Sequence, residues 1–299
     1  MVGVMAQENK IKTLLVSLGI CDEDSIQDYY PRVRDRDDIA VLKCNKSGVI
    51  LLSRSDHMSL AHYHDKDSFE YWPEGDRTRA VLSVYEDTNR RVEQIRPLVV
   101  NKNWLDVGTG AGAILDALGS AAATVAAVEP QNKARNTLKK LGYSVFPQIN
   151  AVEGSNFDLV TLFHVFEHFT DPVEELKALR SKMAPGAQIF IEVPHADDFL
   201  ISFLEHDSFK RFTFWSEHLI LHTRRSLTRM LEAAGFSEIC VKGFQRYPLA
   251  NHLHWLARNA PGGHVAWDVL RTPELDLAYG QMLAQMDKTD TLIATARRR

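Results

Sequence analysis

The amino-acid sequence predicts an α/β fold built on a doubly wound, Rossmann-like sheet. Three observations carry that expectation. Short apolar runs alternate with stretches of helical periodicity from Asn103 to about residue 194, which is how parallel strands and their crossover helices read in sequence. A glycine loop, Gly108-Thr109-Gly110-Ala111-Gly112, joins the first of these runs to the first helical stretch. The chain of 299 residues is 45% hydrophobic and 25% charged, enough for one large core with an extension.

The elements follow in order. Residues 1–75 read as a polar N-terminal extension with one hairpin, Asp38 to Cys44 and Val49 to Ser53 flanking Asn45-Lys46-Ser47-Gly48. Residues 76–299 form the main domain. It opens on a helix from Arg77 to Val99, whose apolar residues Val81, Leu82, Val84, Tyr85, Val92 and Ile95 fall largely on one face. Five buried strands follow at 104–107, 124–129, 143–146, 157–165 and 188–194. Helical patterns separate them at Ala113–Ala121, Gln131–Leu141 and Pro172–Met183. The last opens on Asp171-Pro172 and stops near Pro185-Gly186. An aromatic segment, Asp197 to His222, precedes a helix at Ser226–Ala234 closed by Gly235 and a sixth strand at 237–244. Residues 248–289 are an insertion, and Thr291 to Ala296 is a final strand able to pair antiparallel with the sixth.

A net charge of -4 gives no basis for nucleic-acid binding, and the Arg297-Arg298-Arg299 run reads as a solvated chain end. Three widely spaced thiols, Cys21, Cys44 and Cys240, indicate a reducing compartment without a disulfide framework. The N-terminus lacks a clean signal-peptide core and no run reaches membrane-span length, so a cytoplasmic protein is expected.

The glycine loop alone fits either a dinucleotide or another adenosyl ligand, since Gly108-x-Gly110-x-x-Ala113 matches a relaxed dinucleotide fingerprint. Charge separates the two. Asp106, two residues before the first glycine, would repel a pyrophosphate. It suits the cationic amino group and sulfonium of S-adenosylmethionine. Glu129, ending the second strand, can accept both ribose hydroxyls of either ligand. An NAD(P)-dependent oxidoreductase is therefore the rival reading.

LDVGTGAG, VAAVEP, FDLVTLFHVFEHFTDP and APGAQIFIEVP together resemble the successive motifs of class I S-adenosylmethionine-dependent methyltransferases. FWSEHLILHTRRSLTRMLEAAGF resembles the branch containing sugar- and surface-polysaccharide-modifying members. The resemblance covers about Asn103 to Phe244. It implies a seven-stranded sheet of order 3-2-1-4-5-7-6 with strand 7 antiparallel. Asp106, Gly108, Thr109, Gly110 and Gly112 would line the methionine end, Glu129 and Pro130 the ribose, and His164 and Val165 the space under the reacting methyl. The implied acceptor is a small molecule or sugar hydroxyl, with a quinone or phenol as the alternative. Two positions depart from the pattern. Pro147-Gln148-Ile149-Asn150 stands where an acidic adenine contact is common, and Cys44 is followed by Ser47 where a Cys-x-x-Cys knuckle would stand.

A hydroxyl nucleophile benefits from a base of near-neutral pKa, which points to histidine. His195 after the fifth strand is the first choice, expected to face the acceptor. His218 in the aromatic loop is the runner-up, and His168 is expected in the first turn of the next helix. Glu167-His168 could coordinate a divalent cation, but Glu167 reads better as a charge at a helix N-terminus. Cys44, His57, His62 and His64 match no structural zinc spacing, so no metal is assigned. Trp255 and Trp267, with the aromatic residues of FTFWSEH, could form a sugar-stacking wall or pack in the core.

Overall fold

The computed structural model describes residues 9–58 and 76–299. Helix α1 (Lys10–Ser17) begins where Asn9 Oδ1 accepts from the amides of Ile11 and Lys12, an N-cap that satisfies donors the first turn leaves open. Three short strands follow, β1 (Ile26–Tyr30), β2 (Val41–Cys44) and β3 (Ile50–Leu52), paired antiparallel in sequence. The expected single helix over 77–99 is instead two, α2 (Arg77–Ser83) and α3 (Tyr85–Val99). The chain leaves helical geometry at Val84, where φ is -108° and ψ 15°.

The main domain then runs β4 (Asn103–Val107), α4 (Ala113–Leu118), β5 (Thr124–Val128), α5 (Asn132–Lys140), β6 (Ser144–Phe146), β7 (Phe157–Phe163), α6 (Pro172–Lys182) and β8 (Met183–Pro194). After it come α7 (Asp207–Thr213), β9 (Ile220–Leu221), α8 (Arg224–Ala233) and β10 (Phe236–Phe244). The insertion folds as α9 (Leu249–Arg258), α10 (Gly263–Ala266) and α11 (Pro273–Gln285), and β11 (Thr291–Arg298) ends the chain.

The large sheet has the order β10-β11-β8-β7-β4-β5-β6. In the numbering of the main-domain strands this is the expected 3-2-1-4-5-7-6, and β11 is antiparallel to both its neighbours. Alternation along β4 splits the core. Trp104 packs with Ile95, Val99 and Leu138 on one face, while Leu105 and Val107 join the opposite cluster with Leu176 and Leu227.

Two expectations are corrected here. The hairpin of the extension is part of a four-stranded sheet, β1-β2-β3-β9, because Ile50 and Leu51 pair with Leu221 and Ile220 from the aromatic segment. The basic C-terminus is solvent-exposed at Arg297 and Arg299, but it is not a free tail. Arg297 and Arg298 lie in β11, Arg297 pairs with Glu238 at 3.1 Å, and Arg298 donates to the carbonyl of Met183. Among the described residues, no helix is long and apolar enough to cross a membrane.

Candidate functional site

The carboxyl ends of β4, β5, β7 and β8 gather the chemically active side chains, as open α/β sheets do. In the loop after β4, Gly108, Gly110 and Gly112 all have positive φ, at 74°, 56° and 76°. Their reasons for being glycine differ. A Cβ on Gly108 would stand 2.3 Å from Val165, and one on Gly112 would stand 2.5 Å from Leu138. A Cβ on Gly110 would meet nothing within 4 Å. The first and third glycines thus pack the loop against the turn after β7 and against helix α5. Gly110 borders open space, where a bound ligand can approach the backbone.

The loop amides are already engaged. Gly108 and Thr109 donate to the carbonyl of Val128, Gly112 donates to that of Thr109, and Gly110 donates to Glu129 Oε2 at 2.8 Å. Glu129 Oε1 accepts from the amide of Gln131 at 2.8 Å. Beside them, Trp104 Nε1 donates to Thr161 Oγ1 and the threonine hydroxyl donates to Asp106 Oδ1 at 2.6 Å. Pro130 contributes its carbonyl, which accepts from Arg135. Two buried carboxyls therefore flank a loop whose glycine amides point into the protein. That arrangement fits a cation better than a pyrophosphate.

Burial raises both carboxyls. Asp106 is pushed up to about 6, with the Thr161 hydrogen bond opposing, and Glu129 to about 7, with the Gln131 and Gly110 amides opposing. In the unfolded chain each titrates near about 4. Ionisation of these two groups therefore costs native stability, a cost absent below about pH 4 and complete once pH has passed about 7. A ligand that needs them ionised must displace protons. Calorimetry in buffers of different ionisation enthalpy should show proton release on binding between about pH 6 and 7, and no release would remove both carboxyls from the ligand site.

At the ends of β7 and β8 lies a charged network that sequence reasoning missed. Glu192, fully buried, accepts from Arg90 at 2.6 and 2.9 Å and from Arg91 at 2.8 and 3.1 Å. Burial would raise this carboxyl, but the neighbouring His164, the charge of Arg91 and the Arg90 hydrogen bonds hold it well below the usual range. Arg246, just after β10, donates to Asp87 and to His164 Nε2, the latter at 2.9 Å. Glu192 Oε1 lies farther from that nitrogen, at 3.4 Å. An arginine only donates, so His164 accepts at Nε2, and its Nδ1–H faces Glu167 Oε1 at 3.3 Å. His164 is held in the left-handed region, φ 54°, uncommon for a residue with a Cβ. The one legible signal was Glu192 itself, a lone carboxylate in an apolar strand. Its partners lie about a hundred residues away.

The structure separates the candidate histidines. Glu167 and His168 sit in a one-turn 3-10 helix, Phe166–His168, ahead of α6. His168 is thus not in the first turn of α6, and Glu167 does not serve that helix, whose first-turn acids are Glu174 and Glu175. Burial would raise Glu167, but the His164 hydrogen bond and the His168 charge hold it at about 2. His218 joins this group, its ring 5.1 Å from that of His168, edge to face. His195 does not. It follows β8 directly, as expected, but the residue is only 1% exposed and its Nδ1 lies 3.0 Å from the carbonyl of Thr289. The reason is topological: β11 begins opposite the end of β8, and the Thr289–Asp290 segment that leads into it meets the ring, with the His195 amide donating to Asp290.

Trp255 is also buried, packed against Phe209, Phe212 and His206, so it belongs to the core rather than to an open wall. Trp267 stacks edge to face on His254. Cys44 bonds to Ser25 and His57 to the carbonyl of Ser216, while His62 and His64 lie outside the described residues.

A family model described as a methyltransferase domain matches residues 77–241. The ubiquinone biosynthesis O-methyltransferase of Pseudomonas paraeruginosa is 28% identical over 47% of this chain. The match spans 64% of that relative's length. The Aeromonas salmonicida protein of the same name is 28% identical over 50% of this chain and 69% of its own. Among solved structures, a Haloferax volcanii methyltransferase bound to the activator Trm112 superposes with a TM-score of 0.51 at 13% identity, covering 77% of this chain and 96% of that one. A Thermotoga maritima S-adenosylmethionine-dependent methyltransferase gives 0.50 at 14%, covering 77% and 100%.

Proposed function

The chain belongs to the methyltransferase-domain family, and from that premise we propose that it moves the methyl group of S-adenosylmethionine to a hydroxyl oxygen of a small-molecule acceptor. The observation that carries the donor is the pair of buried carboxyls, Asp106 and Glu129, beside a glycine loop with its amides turned inward. In this reading Asp106 and the loop take the methionine end, Glu129 the ribose hydroxyls, and Gly110 the close approach. Val165, packed over Gly108, and His164 flank the reacting methyl.

The sulfonium is already activated, so the protein's main task is alignment and exclusion of water. The acceptor hydroxyl meets the Glu167, His168 and His218 edge. Burial and the neighbouring His168 hold His218 down to about 3, so it is neutral at physiological pH and acts there as a positioning group rather than as a proton acceptor. His195 is assigned a structural role.

The names of the relatives favour a phenolic or quinol oxygen over a sugar hydroxyl. Incubation with methyl-labelled donor and separate panels of catechols, quinols and nucleotide sugars, read by mass spectrometry, distinguishes them. Labelled aryl ether is expected, and label on a sugar alone would reverse the choice. For the donor, Glu129→Ala should weaken S-adenosylhomocysteine by about 1.5–3 kcal/mol, roughly 10- to 150-fold in Kd. Unchanged affinity in a folded variant would exclude Glu129 from the site.

A further inference from the structure

Glu167, His168 and His218 converge from two segments, the turn after β7 and the loop before β9. One ligand atom from each lies within 4.8 Å of the other two. Two bonds hold the segments in place: the His168 amide donates to Val165, and the Leu219 amide donates to the Glu167 carbonyl at 2.9 Å. Glu167 is fully buried, yet its Oε2 has no hydrogen-bond partner among the described residues, and neither has His218 Nδ1. A buried carboxylate oxygen without a donor is strongly unfavourable unless something else meets it. Meanwhile Oε1 is fixed by His164 Nδ1 at 3.3 Å, the kind of outer contact that orients a metal-ligating carboxylate. The two imidazoles are only partly buried, which leaves a way in.

The geometry points to a binding site for a divalent transition-metal ion on Glu167, His168 and His218, with zinc the best match. One carboxylate and two imidazoles form a donor set for borderline ions; magnesium and calcium prefer all-oxygen shells. Three protein ligands leave a tetrahedral ion one open position, the pattern of catalytic rather than structural zinc. The site stands two residues from Val165, which packs on Gly108. The assignment of the open position to the acceptor oxygen rests on the methyl-transfer reading; the ion site itself does not.

The test uses the full chain, stripped with a chelator, then titrated with Co2+ followed by visible absorption and with Zn2+ by calorimetry. One equivalent of Co2+ should give the ligand-field bands of a four- or five-coordinate ion, and Zn2+ should displace it. Glu167→Gln and His218→Ala should each lower Zn2+ affinity by at least about tenfold, with circular dichroism and S-adenosylhomocysteine affinity unchanged. Should either variant fail to fold, His218→Cys supplies a thiolate and should retain the ion with a new sulfur-to-cobalt charge-transfer band. Absence of saturable Co2+ bands in the wild type, wild-type Zn2+ affinity in both ligand variants, or a His218→Cys protein without that band overturns the site. Intact S-adenosylhomocysteine binding with no ion bound removes only the metal. An ion bound without S-adenosylhomocysteine affinity removes only the methyl-transfer reading.

Discussion

Deleting residues 290–299 should leave a chain that does not fold. β11 is an interior strand, paired with β8 on one side and β10 on the other. Leu292, Ala294 and Ala296 are buried in the core. Asp290 adds a second anchor, accepting from the amides of Arg246 and Tyr247 and from Gln245. Loss of the strand exposes two sheet edges and strands buried backbone donors, a penalty comparable with the whole stability of a typical domain, about 5–15 kcal/mol. Insoluble expression or a missing near-ultraviolet dichroism signal is the expected result. A milder probe, Leu292→Ala, should cost about 2–5 kcal/mol in urea unfolding. A truncated protein with wild-type melting temperature and ligand affinity would show that β11 is dispensable.

The second large effect is kinetic. His218→Asn should lower the methyl-transfer rate by about 10²-fold, with S-adenosylhomocysteine affinity nearly intact, because the neutral His218 ring positions the acceptor edge and lies outside the glycine loop. His195→Asn should keep a near-wild-type rate per folded molecule, since the buried His195 ring meets the Thr289 carbonyl. Its cost should appear instead in stability, through the lost Thr289 contact. Single-turnover rates with a labelled donor decide the matter. If the two variants exchange behaviours, His195 is the residue at the acceptor and the reading of the strand ends is inverted.

The sheet was legible because its strands are apolar runs bounded by turn residues and spaced by helices, and β11 because TLIATA has no breaker. Elements held by distant partners were not. β9 is two residues long, too short for any periodicity, and exists because Ile220 and Leu221 complete the edge of β3. The break at Val84 leaves no proline or glycine as a mark. Asp106, the glycines and Glu129 were legible as a charge pattern around a loop. The pairing of Arg246 with Asp87, or of Glu192 with Arg90, joins residues 159 and 102 positions apart. No spacing rule reaches that far. The same limit explains His195: its place at a strand end was readable, but the segment that covers it leads into a strand almost a hundred residues later.

In the proposed methyl transfer, Asp106, Glu129 and the glycine loop receive a sulfonium nucleoside. Native mass spectrometry of the full chain, with S-adenosylmethionine and NAD offered together at equal concentration, tests it most directly. One bound S-adenosylmethionine or its demethylated product is the expected result, with NAD absent from the complex and binding weakened in Glu129→Ala. Preferential retention of NAD would contradict the account.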